Sequence, residues 1–337
     1  MIRRLPALLL LACGACSGAP APDDLAQSPP AASALRPAEA AGPVSSEAYL
    51  VWSVDPADTA GVGETAWIDG EGRVVARRPG VFASGGGAVW AWTKGTKPGR
   101  GVDCGCKREA EYAEDAQCPS TEPVGVADLV DALGGRRIAL LEIPTSNGDI
   151  DYSQLEPPGQ DAWPVGGVGP YLLTMSSRYI FGCEAAHGSR GVKWAVYDLR
   201  TGDAVALLDS AETAAATARE GAAALAELKK EMTPEEAAEA DVELTVVETR
   251  WTPDGALRVA YQFTTGACYA CSDGMWSSYS RSAEVPAPAL PRPLAAYARA
   301  PEAVRRYWAA SPPGERAGWS AVDAPDPAAA LARFRAP

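Results

Sequence analysis

The sequence predicts a mainly β fold, antiparallel sheets with a two-helix insertion, α+β overall. Two observations carry that expectation. Short runs rich in β-branched and aromatic residues alternate with Gly, Pro, Asn and Asp turn signals over residues 49–94, 136–143 and 242–285. A single alanine-rich stretch, residues 209–241, breaks that pattern with apolar side chains at helical spacing.

The chain opens MIRRLPALLLLACGACSG. Arg3 and Arg4 give a positive start, Leu5 to Leu11 an apolar run, and small residues lead into Cys13 and Cys16. The run is far short of the roughly 20 residues that cross a bilayer, so it is an export leader of bacterial lipoprotein type, residues 1–16. The cysteine at the cut would carry acyl chains, palmitate among them, and several chains hold a protein on a membrane far better than one. Cys13 follows the better branched residue, whereas Cys16 leaves the more normal length of apolar run. Parity favours Cys16: of the eight cysteines, a cut there leaves six to pair in an oxidising compartment. Ser17 follows, with no Asp to retain the protein at the inner membrane, so the outer membrane of the bacterial cell envelope is the expected location.

Residues 17–46 are rich in Ala, Pro and Ser and nearly free of large apolar side chains. They cannot bury a core and form an expected disordered tether reaching roughly 60 to 90 Å. The β-rich domain is expected over residues 47–291. Within it, YLVWSVD (49–55), TAWIDGEGRVVARRPG (65–80) and VFASGGGAVWAW (81–92) are strands, with Asp69-Gly70-Glu71-Gly72 as a hairpin turn. Trp90 and Trp92 fall on one face of a strand, where such a pair fills a core or, in a rival reading, stacks a sugar.

Residues 95–124 hold three cysteines and few apolar side chains, the pattern of a stapled loop. After the strand RRIALLEI (136–143), Asn147-Gly148-Asp149-Ile150-Asp151 has a hint of calcium-loop spacing. Tyr152 and Pro158 stand where the turn glycine and bidentate Glu belong, so an Asn-Gly turn is preferred. In 209–241, Asp209 and Glu212 make a capping-box start, Leu225, Leu228 and Met232 share one side, and Pro234 opens a second helix. Strands resume at VELTVVETRW (242–251), ALRVAYQF (256–263) and GMWSSYSRSAEV (274–285), with Pro253-Asp254-Gly255 between the first two. Residues 292–337 are expected to be a Pro-rich segment with a weak helix around 301–310.

Cys268-Tyr269-Ala270-Cys271 and Cys104-Gly105-Cys106 could supply a thiolate zinc site, but no second C-x-x-C is present and exported thiols are more often oxidised. No metal or other cofactor is therefore assigned. The plausible bridges are Cys268 with Cys271, Cys106 with Cys118, and Cys104 with Cys183, among the many connectivities that six cysteines allow. A redox role for Cys268 and Cys271 would want them at the start of a helix, and they lie between two expected strands. His187, the one histidine, sits beside Ala186 and Gly188 at a strand end. The chain has no G-x-S-x-G elbow, H-E-x-x-H helix, Walker-type loop or G-x-G-x-x-G motif, so no catalytic residue is assigned and His187 is kept as a structural or recognition residue.

The run Tyr179-Ile180-Phe181-Gly182, Ala186-His187-Gly188, Tyr197-Asp198-Leu199, Thr201-Gly202 and Leu207-Leu208, followed by a helix, resembles the extracytoplasmic domain of lysozyme-sensing anti-sigma factors, which is also appended to some peptidoglycan deacetylases. The resemblance covers about residues 169–291. In that family a strand, a G-G-A-H-G-like turn and a strand ending D-L-x-T-G precede helices and returning strands. Here Glu184-Ala185 replace the paired glycines, and neither an anti-sigma segment nor a deacetylase module is present. The resemblance implies a binding domain at the envelope, for a cationic muramidase, and carries no catalytic residue. The Tyr197–Gly202 and Trp251–Gly255 turns also look like β-propeller blades, but about 13 expected strands make three blades and do not close a ring, leaving an incomplete propeller-like fold as the alternative.

The formal charge of −13 repels phosphate backbones, so nucleic acid is not an expected partner. The expected function is a non-enzymatic binding module on a lipid-anchored envelope protein, its partners the membrane through the lipid and a cationic protein or peptidoglycan. The rivals are a redox or cell-wall-acting enzyme using Cys268 and Cys271, and a glycan binder using Trp90 and Trp92.

Overall fold

The computed structural model describes residues 36–37, 48–55, 62–97, 124–141, 161–180, 189–232, 234–266 and 280–333. The fold is mainly β, in three sheets of nine, three and four strands. The largest runs in the order β1 (Arg36–Pro37), β12 (Asp203–Ala206), β11 (Ser189–Asp198), β10 (Tyr171–Ile180), β9 (Asp161–Val168), β16 (Arg316–Ala321), β2 (Ala48–Val54), β3 (Glu64–Asp69) and β4 (Val74–Pro79). A four-stranded sheet has the order β5 (Phe82–Gly85), β6 (Ala88–Lys97), β7 (Val124–Asp131), β8 (Arg137–Ala139), and a three-stranded sheet the order β13 (Glu243–Trp251), β14 (Leu257–Gly266), β15 (Ser280–Pro286). Among the described residues no sheet closes into a barrel; the nine-stranded sheet joins the meander β9–β12 to the meander β16, β2–β4 through the parallel pair β9 and β16.

The nine-stranded sheet is the middle layer. Alternate residues of β2 show it: Tyr49 and Val51 face the core shared with β13–β15 and the helices, whereas Trp52 and Val54 face the core shared with β5–β8. Side chains alternate along a strand, so a sheet covered on both faces reads as an unbroken apolar run. That is why YLVWSVD has no polar alternation. The Asp69 carboxylate accepts from the backbone N–H groups of Glu71 and Arg73 at 3.0 and 2.9 Å, and Gly72 supplies the positive φ of 84° that the β3–β4 turn requires.

The insertion opens as read. Asp209 caps α1 (Ser210–Ala216) with a complete capping box to Glu212, a π-helical turn (Thr217–Gly221) leads into α2 (Ala222–Leu228), and α3 (Pro234–Glu239) starts on its proline. Ala216, Ala224 and Leu228 are the buried side of the first two. The expected boundary at residue 291 does not divide the fold. After α4 (Arg292–Ala295) and α5 (Glu302–Ala310), β16 lies between β9 and β2 in the middle of the main sheet, and α6 (Pro327–Arg333) follows. The segment RAGWSA is short, interrupted by Gly318 and flanked by prolines, so it lacks the pattern of a central strand. Gly318 is there for a contact: it stands opposite Trp52, and a Cβ on it would come within 2.5 Å of the Gly167 Cα and 2.7 Å of the Trp52 ring.

Candidate binding hairpin

Of the residues that carry the family resemblance, Leu199, Thr201 and Gly202 lie in the turn after β11, and Tyr179, Ile180, Tyr197 and Asp198 lie on the β10–β11 hairpin. Its arms pair without a break from Tyr171↔Asp198 at the base to Ile180↔Ser189 at the tip. β9 accompanies β10 only as far as Ser177, and β12 accompanies β11 only over Val196–Asp198. Among the described residues the distal arms therefore have no further strand beside them, and Val192 is 43% exposed. The connection 181–188, with Cys183 and His187, joins these arms; both residues lie outside the described residues.

The base of the hairpin is built for rigidity. Both Asp198 oxygens are engaged by Arg200, through Nε at 2.8 Å and Nη2 at 2.6 Å, and the Arg200 backbone N–H adds a third bond at 3.0 Å. The Gly202 N–H donates to the Asp198 carbonyl at 2.7 Å, and Gly202 has φ 82°. Arg200 also donates to the Tyr171 hydroxyl at 3.2 Å. The hydrogen bond to Asp198 raises the guanidinium pKa and keeps it charged. Burial, followed by the Tyr171 hydroxyl nearby, pushes the Tyr297 phenol up to about 12. From the other side, Trp90 Nε1 donates to the Leu199 carbonyl at 2.9 Å, and a Cβ on Gly86 would strike the Arg200 carbonyl at 2.2 Å. Asp198, Arg200, Tyr171 and Trp90 are tied to one another or to the turn backbone, and this network holds the base of the hairpin.

The structure corrects the reading of Trp90 and Trp92 as binding candidates. They share a face, but it is the core between the nine- and four-stranded sheets, where they are 1% and 8% exposed. The Arg136 guanidinium lies 4.8 Å from the Trp90 ring centroid. A sugar cannot stack on rings covered in this way, so the glycan reading loses its residues.

Cys13, Cys16, Cys104, Cys106, Cys118, Cys183, Cys268, Cys271 and the turn 147–151 lie outside the described residues. Among the described residues there is no Cys or His and no cluster of three or more metal-ligating side chains. The ends of the cysteine-bearing connections are placed. Residues 98–123 join β6 and β7 at the rung Lys97↔Val124, and 267–279 join β14 and β15 at Gly266↔Ser280. The Lys94 ammonium pairs with the Asp161 carboxylate, and Asp161 stands opposite Ser177. The connections 98–123 and 181–188 thus leave facing sheets at the same end of the molecule. Sequence reasoning passed over Arg200, Tyr171 and Tyr297; the one local signal was the Asp198-x-Arg200 spacing inside the D-L-R-T-G turn.

Compared with protein-family models, curated proteins and solved structures, the chain matches none. No helix among the described residues is long and apolar enough to cross a membrane.

Proposed function

We propose that this is a lipid-anchored protein of the bacterial cell envelope, at the outer membrane, whose β body is a non-enzymatic binding module for a cationic protein. The observation that carries the anchor is the leader itself, two arginines, a short apolar run and Cys13 or Cys16 behind small residues. Two observations favour the module. Tyr179, Ile180, Tyr197 and Asp198, part of the resemblance to the lysozyme-sensing domains, lie on a hairpin with a rigid base, and the net charge of −13 draws a basic partner by long-range attraction. Cys268 and Cys271 fall in the connection between β14 and β15 rather than ahead of a long helix, which favours a structural cross-link over redox exchange as the reading of this pair.

The test is titration of the soluble body, residues 47–337, with a cationic muramidase at rising salt. Saturable binding that weakens as salt rises, and that is reduced at least tenfold by replacement of residues 183–187 with Gly and Ser, supports the reading. Absence of saturable binding at low salt rejects it.

A further inference from the structure

We propose that the outer edge of β12 is a strand-docking site filled by the chain's own Arg36–Pro37, and that this clip makes the N-terminal segment leave the body at the base of the β10–β11 hairpin. The inference takes the lipid anchor from the proposed function and adds the orientation of the body on the membrane.

Arg36 and Pro37 pair in parallel with Val205 and Ala206. β12 is only four residues long, and its inner side is taken by β11 at three rungs, Val196↔Val205, Tyr197↔Ala204 and Asp198↔Asp203. Without β1 its outer side would present bare N–H and C=O groups, the feature that recruits an added strand. A proline is tolerated there because an edge position can spare an N–H. The pairing at Arg36–Pro37 leaves about 20 residues of the expected tether between the clip and Cys16, and a flexible segment of that length reaches roughly 60 Å fully extended with a mean span of about 25 Å.

Direction follows from the register. β12 runs from Asp203, beside Asp198 at the hairpin base, toward Ala206, and β1 runs the same way. The chain before Arg36 therefore approaches from the base end. The rung Ile180↔Ser189 stands at the other end of ten-residue arms, roughly 30 Å away at about 3.3 Å per residue. An acyl group at Cys13 or Cys16 then keeps the base, on average, nearer the bilayer than the tip, an orientation that suits a hairpin receiving a partner from beyond the membrane.

The experiment uses the full chain, purified from membranes and reconstituted in phosphatidylethanolamine and phosphatidylglycerol vesicles with a headgroup-linked acceptor dye. A donor amino acid is placed at exposed Thr201 (base) or at exposed Val192 (distal arm). Energy transfer at least twofold greater from the Thr201 position is expected, and replacement of residues 33–40 by Gly and Ser of equal number should bring the two together. In the same variant, amide exchange over Ala204–Leu207 should accelerate about tenfold. Equal transfer from both positions in the unaltered chain overturns the orientation, and unchanged exchange in the variant overturns the clip. An N-terminal peptide without acyl chains defeats the anchor alone, because the exchange result is independent of it.

Discussion

On the side of the nine-stranded sheet that faces β13–β15 and the helices, the contact is a mass of rings. Trp251 lies 5.4 Å from Trp308 and 6.2 Å from Trp319, centroid to centroid, with Tyr49 and Tyr297 each 6.0 Å from Trp319. On the side that faces β5–β8, the contact depends on closeness and polar ties. Trp52 covers Gly167 and Gly318, where no Cβ fits. The Ser84 N–H donates to the Ser320 hydroxyl at 2.7 Å and the Ser84 hydroxyl to Asp323 at 2.8 Å. Large offset rings can shift slightly against one another, whereas a glycine seam and a buried hydroxyl chain have one geometry. The first side supplies bulk apolar burial; the second fixes the register of the hairpin base, since Trp90 and Gly86 reach Leu199 and Arg200 from it.

This contrast can be broken by substitution, and the largest effect belongs to the ring side. Trp308→Ala removes a side chain that is 1% exposed and should cost about 3–5 kcal/mol in urea unfolding. If the loss is under about 1 kcal/mol, the ring cluster is not the main seal. Gly318→Ala adds one methyl to the opposite side and should still cost about 1–3 kcal/mol, because backbone and ring must both move. A neutral result would mean that the seam is loose. Ser84→Ala removes a hydroxyl that donates to the Asp323 carboxylate or the Ala88 carbonyl and accepts from the Asp323 N–H, and should cost about 1–2 kcal/mol. The double variant Ser84→Ala, Trp308→Ala should be additive if the two sides are independent.

The smallest effect is a pH dependence on the β5–β8 side. Desolvation alone would raise the Asp131 carboxyl, but backbone N–H bonds from Gly134 and Leu133 and the Arg136 guanidinium outweigh it and hold the pKa below the usual carboxylate range. A depressed folded pKa gives stability that is present above about pH 4, the unfolded value, and is lost as pH falls through the lower folded value. Asp131→Asn should flatten the fall in unfolding midpoint between pH 5 and pH 3. An unchanged slope would remove Asp131 from the acid response.

How much of this was legible in the sequence depended on whether the signal was local. The capping box at Asp209 and Glu212, the Asp69–Gly72 turn and the proline start at Pro234 each involve residues a few positions apart, and each stands as read. β16 and β1 were not legible, because their reasons lie far away in the chain: Gly318 answers to Trp52 and Gly167, and Arg36–Pro37 answers to the bare edge of β12. Trp90 and Trp92 were assigned correctly to one face and to a core, but the partners of Trp90, Arg136 and Leu199, are brought to it only by the fold. The turn Asp198–Gly202 at the hairpin base was legible in its D-L-R-T-G sequence, and the clamp on it by Trp90 and Gly86 was not.

The most direct test of the functional reading is the mass of the N-terminal peptide from protein extracted with the envelope fraction. The expected result is a peptide that begins at Cys16, or at Cys13, and carries two or three acyl chains. A peptide beginning at Met1 with both cysteines unmodified, recovered from the cytosol, would contradict the anchor and the envelope role built on it.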